Sequence, residues 1–174
     1  MNPAENRDTR IAVRGAFAGA ALFVALIVAF SAAGPGPLPT TSLLLIGVFG
    51  VASHVVLFPV VAQLPAPSWA RAAGYAWIAI DVMLNIAAVN GGDIKLISAL
   101  RLGGHIPAGL WMAAAALEAA GATRYVGTLL GALLIVHAFA SPWIPMWIIF
   151  IPFVMIPLWL ALVGGRCFAA PVRT

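Results

Sequence analysis

The chain has 174 residues, 63% of them hydrophobic and 8% charged, with a formal net charge of +4. Soluble domains carry roughly a quarter charged residues, so an ordinary soluble fold is excluded and almost the whole length belongs in a bilayer. The basic residues stand singly instead of forming the stripe or patch of a nucleic-acid binder. Their excess reads as orientation and contact with anionic lipid headgroups, with no nucleic-acid partner.

Six apolar stretches are predicted as transmembrane helices, over 11–33, 41–63, 70–89, 94–119, 125–140 and 143–163. Each approaches the ~20 apolar residues that cross the ~30 Å hydrocarbon layer. A β-barrel would need ~10-residue segments of alternating polarity, and these are longer and apolar all round. The fold class expected is all-α: an integral membrane bundle of six transmembrane helices with short loops, one polytopic domain over 1–174.

The first span follows Arg7, Arg10 and Arg14 and ends at Gly34-Pro35-Gly36-Pro37-Leu38-Pro39, a sequence hostile to helix. A charged start and Ser31-Ala32-Ala33-Gly34 also suggest a secretory signal. The apolar run 15–30 exceeds the about 7–15 residues of a signal core, so the helix is read as uncleaved. The second span carries His54 and ends at Pro65-Ala66-Pro67-Ser68, where Ser68 is expected to cap the third. Arg71 opens the third span, which holds Asp81 and Asn85. Asn90-Gly91-Gly92-Asp93 then turns the chain, and Asp93 is expected to cap the fourth.

The fourth span holds Lys95, Ser98, Arg101 and His105 within a Gly103-Gly104-His105-Ile106-Pro107 segment. Pro107 leaves the Gly103 carbonyl without its donor, so Gly103, Gly104 and Pro107 predict a kink. The fifth span follows Arg124, carries His137 and ends at Ser141-Pro142. The sixth contains Pro145, Pro152 and Pro157 and is followed by Arg166, Cys167 and Arg173. The kinked fourth and sixth helices are the expected gate. One cysteine says nothing about redox compartment, and Cys167 is read as an idle thiol.

Seven of the nine Lys and Arg residues fall in alternate gaps, so both termini are predicted to be cytoplasmic. Arg in excess of Lys, with abundant Ala, suits a bacterial inner membrane. Trp69, Tyr75, Tyr125 and Trp159 are expected at the inner interface and Trp143 and Trp147 at the outer one. Gly15-x-x-x-Gly19 and Gly127-x-x-x-Gly131 offer close-packing faces.

Intramembrane ionisable groups are costly and usually face partners inside the bundle. At ~1.5 Å per residue, Asn85 and Asp81 lie about 8 and 14 Å below the outer surface, and Arg101 and His105 about 9 and 15 Å. The third and fourth spans should be antiparallel neighbours, each pair on one face. Arg101 is therefore expected beside Asn85 and in bidentate reach of Asp81. Asp81 is expected within reach of His105, with Ser98 extending the stripe. The cluster reads as a ligand or ion pathway, with an inert interhelical clasp as the alternative.

His54 and His137 are secondary candidates, each followed five residues later by Pro, as a three-plus-three inverted repeat would give. Bis-histidine haem b is disfavoured because no two histidines share a level, and no metal site is expected. Metalloprotease, phosphate-loop and Gly-x-Ser-x-Gly motifs are absent, which leans against an enzyme. The first reading is a transporter or channel for a small solute or proton, acting as a homo-oligomer. The alternatives are a non-catalytic accessory or scaffold subunit among other membrane subunits, and thirdly a haem b or quinone redox protein.

Overall fold

A computed structural model describes residues 3–33, 39–141 and 143–167. The linker 34–38, Pro142 and Arg173 lie outside the described residues, as do the side chains of Trp147, Arg166 and Cys167. The described residues form an all-α bundle: α1 (Pro3–Ala33), α2 (Thr40–Val55), α3 (Phe58–Gln63), α4 (Ser68–Val89), α5 (Ile94–Leu117), α6 (Gly121–Ala140) and α7 (Met146–Leu162), with a wider π-type turn at Val163–Cys167.

The helices follow one another round a ring. α1 packs on α2 and α3, these on α4, α4 on α5, α5 on α6 and α6 on α7, and α7 closes back on α1. Short connections make consecutive helices antiparallel. One end of the ring thus gathers the amino terminus and the α3–α4 and α5–α6 turns. The other gathers the α4–α5 and α6–α7 connections.

Several local expectations hold and several change. Asp93 caps α5, its Oδ1 accepting from the amides of Lys95 and Leu96 at 2.8 and 3.2 Å. Ser68 does not cap α4; Pro67 occupies the cap position and Ser68 is the first helical residue. α1 begins well before the apolar stretch, because the basic segment satisfies its own backbone as helix, with Arg10 Nε donating to the Asn6 carbonyl at 3.2 Å. α5 runs without interruption through Gly103, Gly104 and Pro107. The chain breaks instead between α2 and α3: Pro59 has no N–H for the Val55 carbonyl, and a tight turn forms with Leu57 N on the His54 carbonyl at 3.0 Å.

Both predicted small-residue faces are close approaches. A Cβ on Gly15 would stand 2.5 Å from the Val56 carbonyl oxygen, and one on Gly131 2.6 Å from the Gly109 carbonyl oxygen. Gly127 lies under the Trp159 indole. Trp159 is fully buried, so it is a core residue and not an interface ring. The reason is that Gly127 and Ala116 leave a slot of its size. Trp69 and Tyr125 are exposed, and Tyr75 stacks on Phe58 at 5.8 Å.

The outward faces are apolar: Met83 is 69% exposed and Phe139 65%. Four helical segments are long and apolar enough to cross a membrane, namely α1, α2 with α3, α4 and α6. α7 is shorter, and α5 is diluted by Lys95, Arg101, His105 and its glycines. Length and composition therefore fit a multi-pass membrane protein.

Candidate functional site: a buried charge cluster beneath a vestibule

The site begins with two helical rows spaced i, i+4. On α4, Trp77, Asp81 and Asn85 share one face, and on α2 Gly50 and His54 do. Gly50 has no Cβ because that atom would stand 2.5 Å from Asn85 Oδ1. The missing side chain brings α2 close enough for His54 to reach across. His54 Nε2 lies 3.4 Å from Asp81 Oδ2, with both side chains buried. The His54 ring is held edge-on between Phe23 and Trp77, at centroid distances of 5.3 and 4.9 Å.

His54 is anchored at its other nitrogen. Its Nδ1 is 2.6 Å from the Gly50 carbonyl oxygen, which can only accept, so Nδ1 is the donor there. Nε2 is thereby turned toward the Asp81 carboxyl group.

Arg101 supplies the remaining charge. One terminal nitrogen donates to Asn85 Oδ1 at 3.1 Å, and its Nε lies 3.3 Å from Asp81 Oδ1. That Nε–H is not aimed at the oxygen, so the contact is coulombic and the bidentate grip on Asp81 is not formed. Asn85 is turned for this by its own Nδ2, which donates to the Asp81 carbonyl at 2.8 Å. The guanidinium is always protonated, so Arg101 brings a fixed positive charge to the cluster. Its side chain stays 26% exposed.

His105 takes a different partner from the one expected. It stacks on His137 with centroids 4.9 Å apart and 30° between planes, and meets Phe153 edge-on at 6.2 Å. The α4–α5 contact runs through Gly104, where a Cβ would lie 3.2 Å from Ile80. The next residue is rotated about 100°, which turns the His105 ring toward α6, while His105 and Asp81 line one cavity. His105 Nδ1 and His137 Nδ1 are buried without a hydrogen-bond partner.

A cavity of about 70 Å³ reaches Asp81, Asn85, His54, Arg101 and His105. A water needs roughly 10–15 Å³ of such space, so the cluster has room for several. Every helix except α3 lines it, α1 through Phe23, α6 through Leu134 and α7 through Ile156. The interior therefore lies on the ring's axis and not between α4 and α5 alone. A larger vestibule of about 440 Å³ adjoins it, sharing Leu26, Phe30, Arg101, His105 and Phe153. Ser98 lines this vestibule with His137 and Ser141, whereas Asp81 lines the inner cavity. Gly103 faces open space, and neither it nor Gly104 or Pro107 lines either cavity.

The histidine pair does not suit axial ligation of haem, since the stacked rings present faces where two nitrogens would have to point across a macrocycle. Among the described residues no three His, Cys, Asp or Glu side chains converge on a metal position.

His54 as the partner of Asp81 is the main feature that reading the helices pair by pair misses. Its signal is the matched spacing of Gly50-x-x-x-His54 and Trp77-x-x-x-Asp81-x-x-x-Asn85. No protein-family model, curated protein or solved structure matches this chain.

Proposed function

We propose that the protein is a bacterial inner-membrane carrier that moves a small solute together with a proton through the axis of its helical ring. The observation that supports this most is the buried contact of His54 with Asp81, 3.4 Å apart, in a cavity beneath a vestibule. Buried ionisable groups in membrane helices are expensive and mark ion and proton paths. In this reading the pair takes up and releases a proton where water reaches it, changing the net charge of the site by one.

Both termini are cytoplasmic in this reading. Arg7, Arg10, Arg14, Arg71 and Arg124 gather at the amino-terminal end of the ring, as the positive-inside rule asks. The vestibule then opens to the opposite side, and the buried indoles of Trp77, Trp111 and Trp159 close the cytoplasmic side. A carrier must exchange these two conditions. The break before Pro59, within five residues of His54, and Pro152 and Pro157 in α7 provide places where the helices can bend. The cavity lies within one chain, so transport in this reading requires no second copy.

Reconstituted protein should carry protons into liposomes, detected with an entrapped pH dye, faster as the vestibule side is made more acidic. Asp81→Asn, which keeps the shape and removes the titrating partner, should lower that flux by about a hundredfold, in line with losing a proton-transfer group. Unchanged flux in Asp81→Asn would sink the proposal. No flux in wild type, with other subunits stably co-purifying, would replace it with the accessory-subunit reading.

A further inference from the structure

The vestibule has a chemistry of its own. Its walls are apolar, from Leu26, Ile27 and Phe30 on α1, Leu102 on α5, and Phe150 and Phe153 on α7. At about 440 Å³ it falls in the size range of small-molecule sites, which are mostly apolar with a few convergent polar groups. Here those groups are Arg101, His105 and His137, with Ser98 and Ser141 toward the rim. His105 and His137 are 7% and 4% exposed, yet each keeps a ring nitrogen with no partner. A buried polar atom left unpaired is costly, and on this wall two such ring nitrogens lie on stacked neighbours.

We propose that this vestibule binds an amphipathic monoanion, its apolar body among the phenylalanines and its oxyanion headgroup against Arg101 and the two histidines. This names the solute of the carrier proposed above and rests on that reading for what binding accomplishes.

The choice follows by elimination on charge and shape. The charged and titratable groups facing the cavities are His54 from α2, Asp81 from α4, Arg101 and His105 from α5, and His137 from α6. α1 and α7 contribute apolar side chains. Of the charged and titratable groups, Arg101, His105 and His137 line the vestibule, while His54 and Asp81 line the inner cavity alone, so the fixed charge on the vestibule wall is the Arg101 guanidinium. A cation would be repelled by Arg101 in a medium of low dielectric. A neutral ligand would forgo the charge-assisted contact the guanidinium offers, and a dianion would bring more charge than one guanidinium meets. A small inorganic anion would leave the phenylalanine walls wet. One negative charge on an apolar body satisfies both halves, and the guanidinium fork suits an oxyanion.

The headgroup can belong to a free organic acid or to an anionic lipid, and the two are separable. Full-length protein in phosphatidylcholine nanodiscs is titrated calorimetrically with 4-phenylbutyrate, 4-phenylbutan-1-ol, 4-phenylbutylamine and butyrate. The expected result is saturable binding of 4-phenylbutyrate, with the other three weaker by about tenfold or more, as loss of a charge-assisted contact or of the apolar body requires. Arg101→Gln should erase the preference of acid over alcohol. Should that variant fail to fold, the series on wild type decides alone.

Doping the discs with phosphatidylglycerol distinguishes the sources. Competition assigns the headgroup to lipid, undisturbed binding assigns it to a free acid, and both support the proposal. Equal affinity for acid and alcohol, preference for the amine, or no binding of 4-phenylbutyrate at any soluble concentration overturns it. Proton flux without acid preference would leave the carrier standing and remove only the solute. Acid binding without proton flux would do the reverse.

Discussion

The two ends of the ring are built on opposite rules. At the amino-terminal end, packing is dense and dry: Trp77 stacks on Trp111 at 5.8 Å, Trp111 meets Trp159 edge-on at 5.5 Å, and Gly74 and Gly127 vacate the space the indoles fill. At the vestibule end the helices stand apart, and the gap is lined by phenylalanine, serine and histidine. Lipid offers no hydrophobic drive for helices to associate, so the tight end must supply packing energy. Buried polar atoms without a partner occur at both ends, the indole nitrogens of Trp111 and Trp159 among them, so the two ends differ in how closely the helices pack.

The largest effect that would break this contrast is loss of the aromatic plug. Trp111→Ala should cost about 2–3 kcal/mol in unfolding by increasing detergent, toward the low end of large-to-small core substitutions because the residual drive is packing alone. It should also let protons leak through the unclosed end. If Trp111→Ala were as stable as wild type, the amino-terminal end would not be what holds the ring together.

A smaller effect is expected where the two regimes meet. Gly50→Ala places a methyl 2.5 Å from Asn85 Oδ1, in the crossing that aligns His54 with Asp81. Overpacking of this kind costs about 1–3 kcal/mol. Asn85 must move, so Arg101 loses its acceptor and solute binding should weaken together with stability. A flux assay and an unfolding titration on the same preparation check whether they fall in step.

How much of this was readable beforehand depends on the range of the forces involved. The helices, the Asp93 cap and the Arg101–Asn85 contact follow from local pattern and from one short turn that forces α4 and α5 to be neighbours. The place of His54 does not, because it depends on α2 meeting α4 after α3 intervenes, and a glycine without a side chain sets that crossing. Counting levels does not supply it either. α2 is uninterrupted from Thr40 to Val55, so ~1.5 Å per residue gives His54 a depth but not the neighbour it faces. Closure of α7 on α1 is likewise a property of the whole ring.

The cap gives a milder test, confined to one turn. Asp93 accepts two α5 amides, and Asp93→Ala should cost about 1 kcal/mol, the usual value of an N-cap. Lys95 and Ser98 follow directly in the chain, so fraying of this turn should loosen the vestibule rim. A slightly weaker acid affinity with unchanged proton flux is the expected pattern, measured by the calorimetric titration and the dye assay.

The smallest effect discriminates between a hinge and an ordinary helical turn at Gly103 and Gly104. A Cβ on Gly103 meets nothing within 4 Å, whereas one on Gly104 stands 3.2 Å from Ile80. Gly in a helix interior is roughly 0.8–1 kcal/mol less favourable than Ala, so Gly103→Ala should raise stability by nearly that amount. Gly104→Ala gains the same backbone benefit and loses part of it as Ile80 gives way, ending close to wild type. Flux separates the roles. α5 is continuous across this segment, so Gly103→Ala should leave transport unchanged if the bending occurs at Pro59 and in α7. A stabilised Gly103→Ala with lost flux would move the hinge into α5, next to His105, and would make the continuous helix one of two conformations used in the cycle.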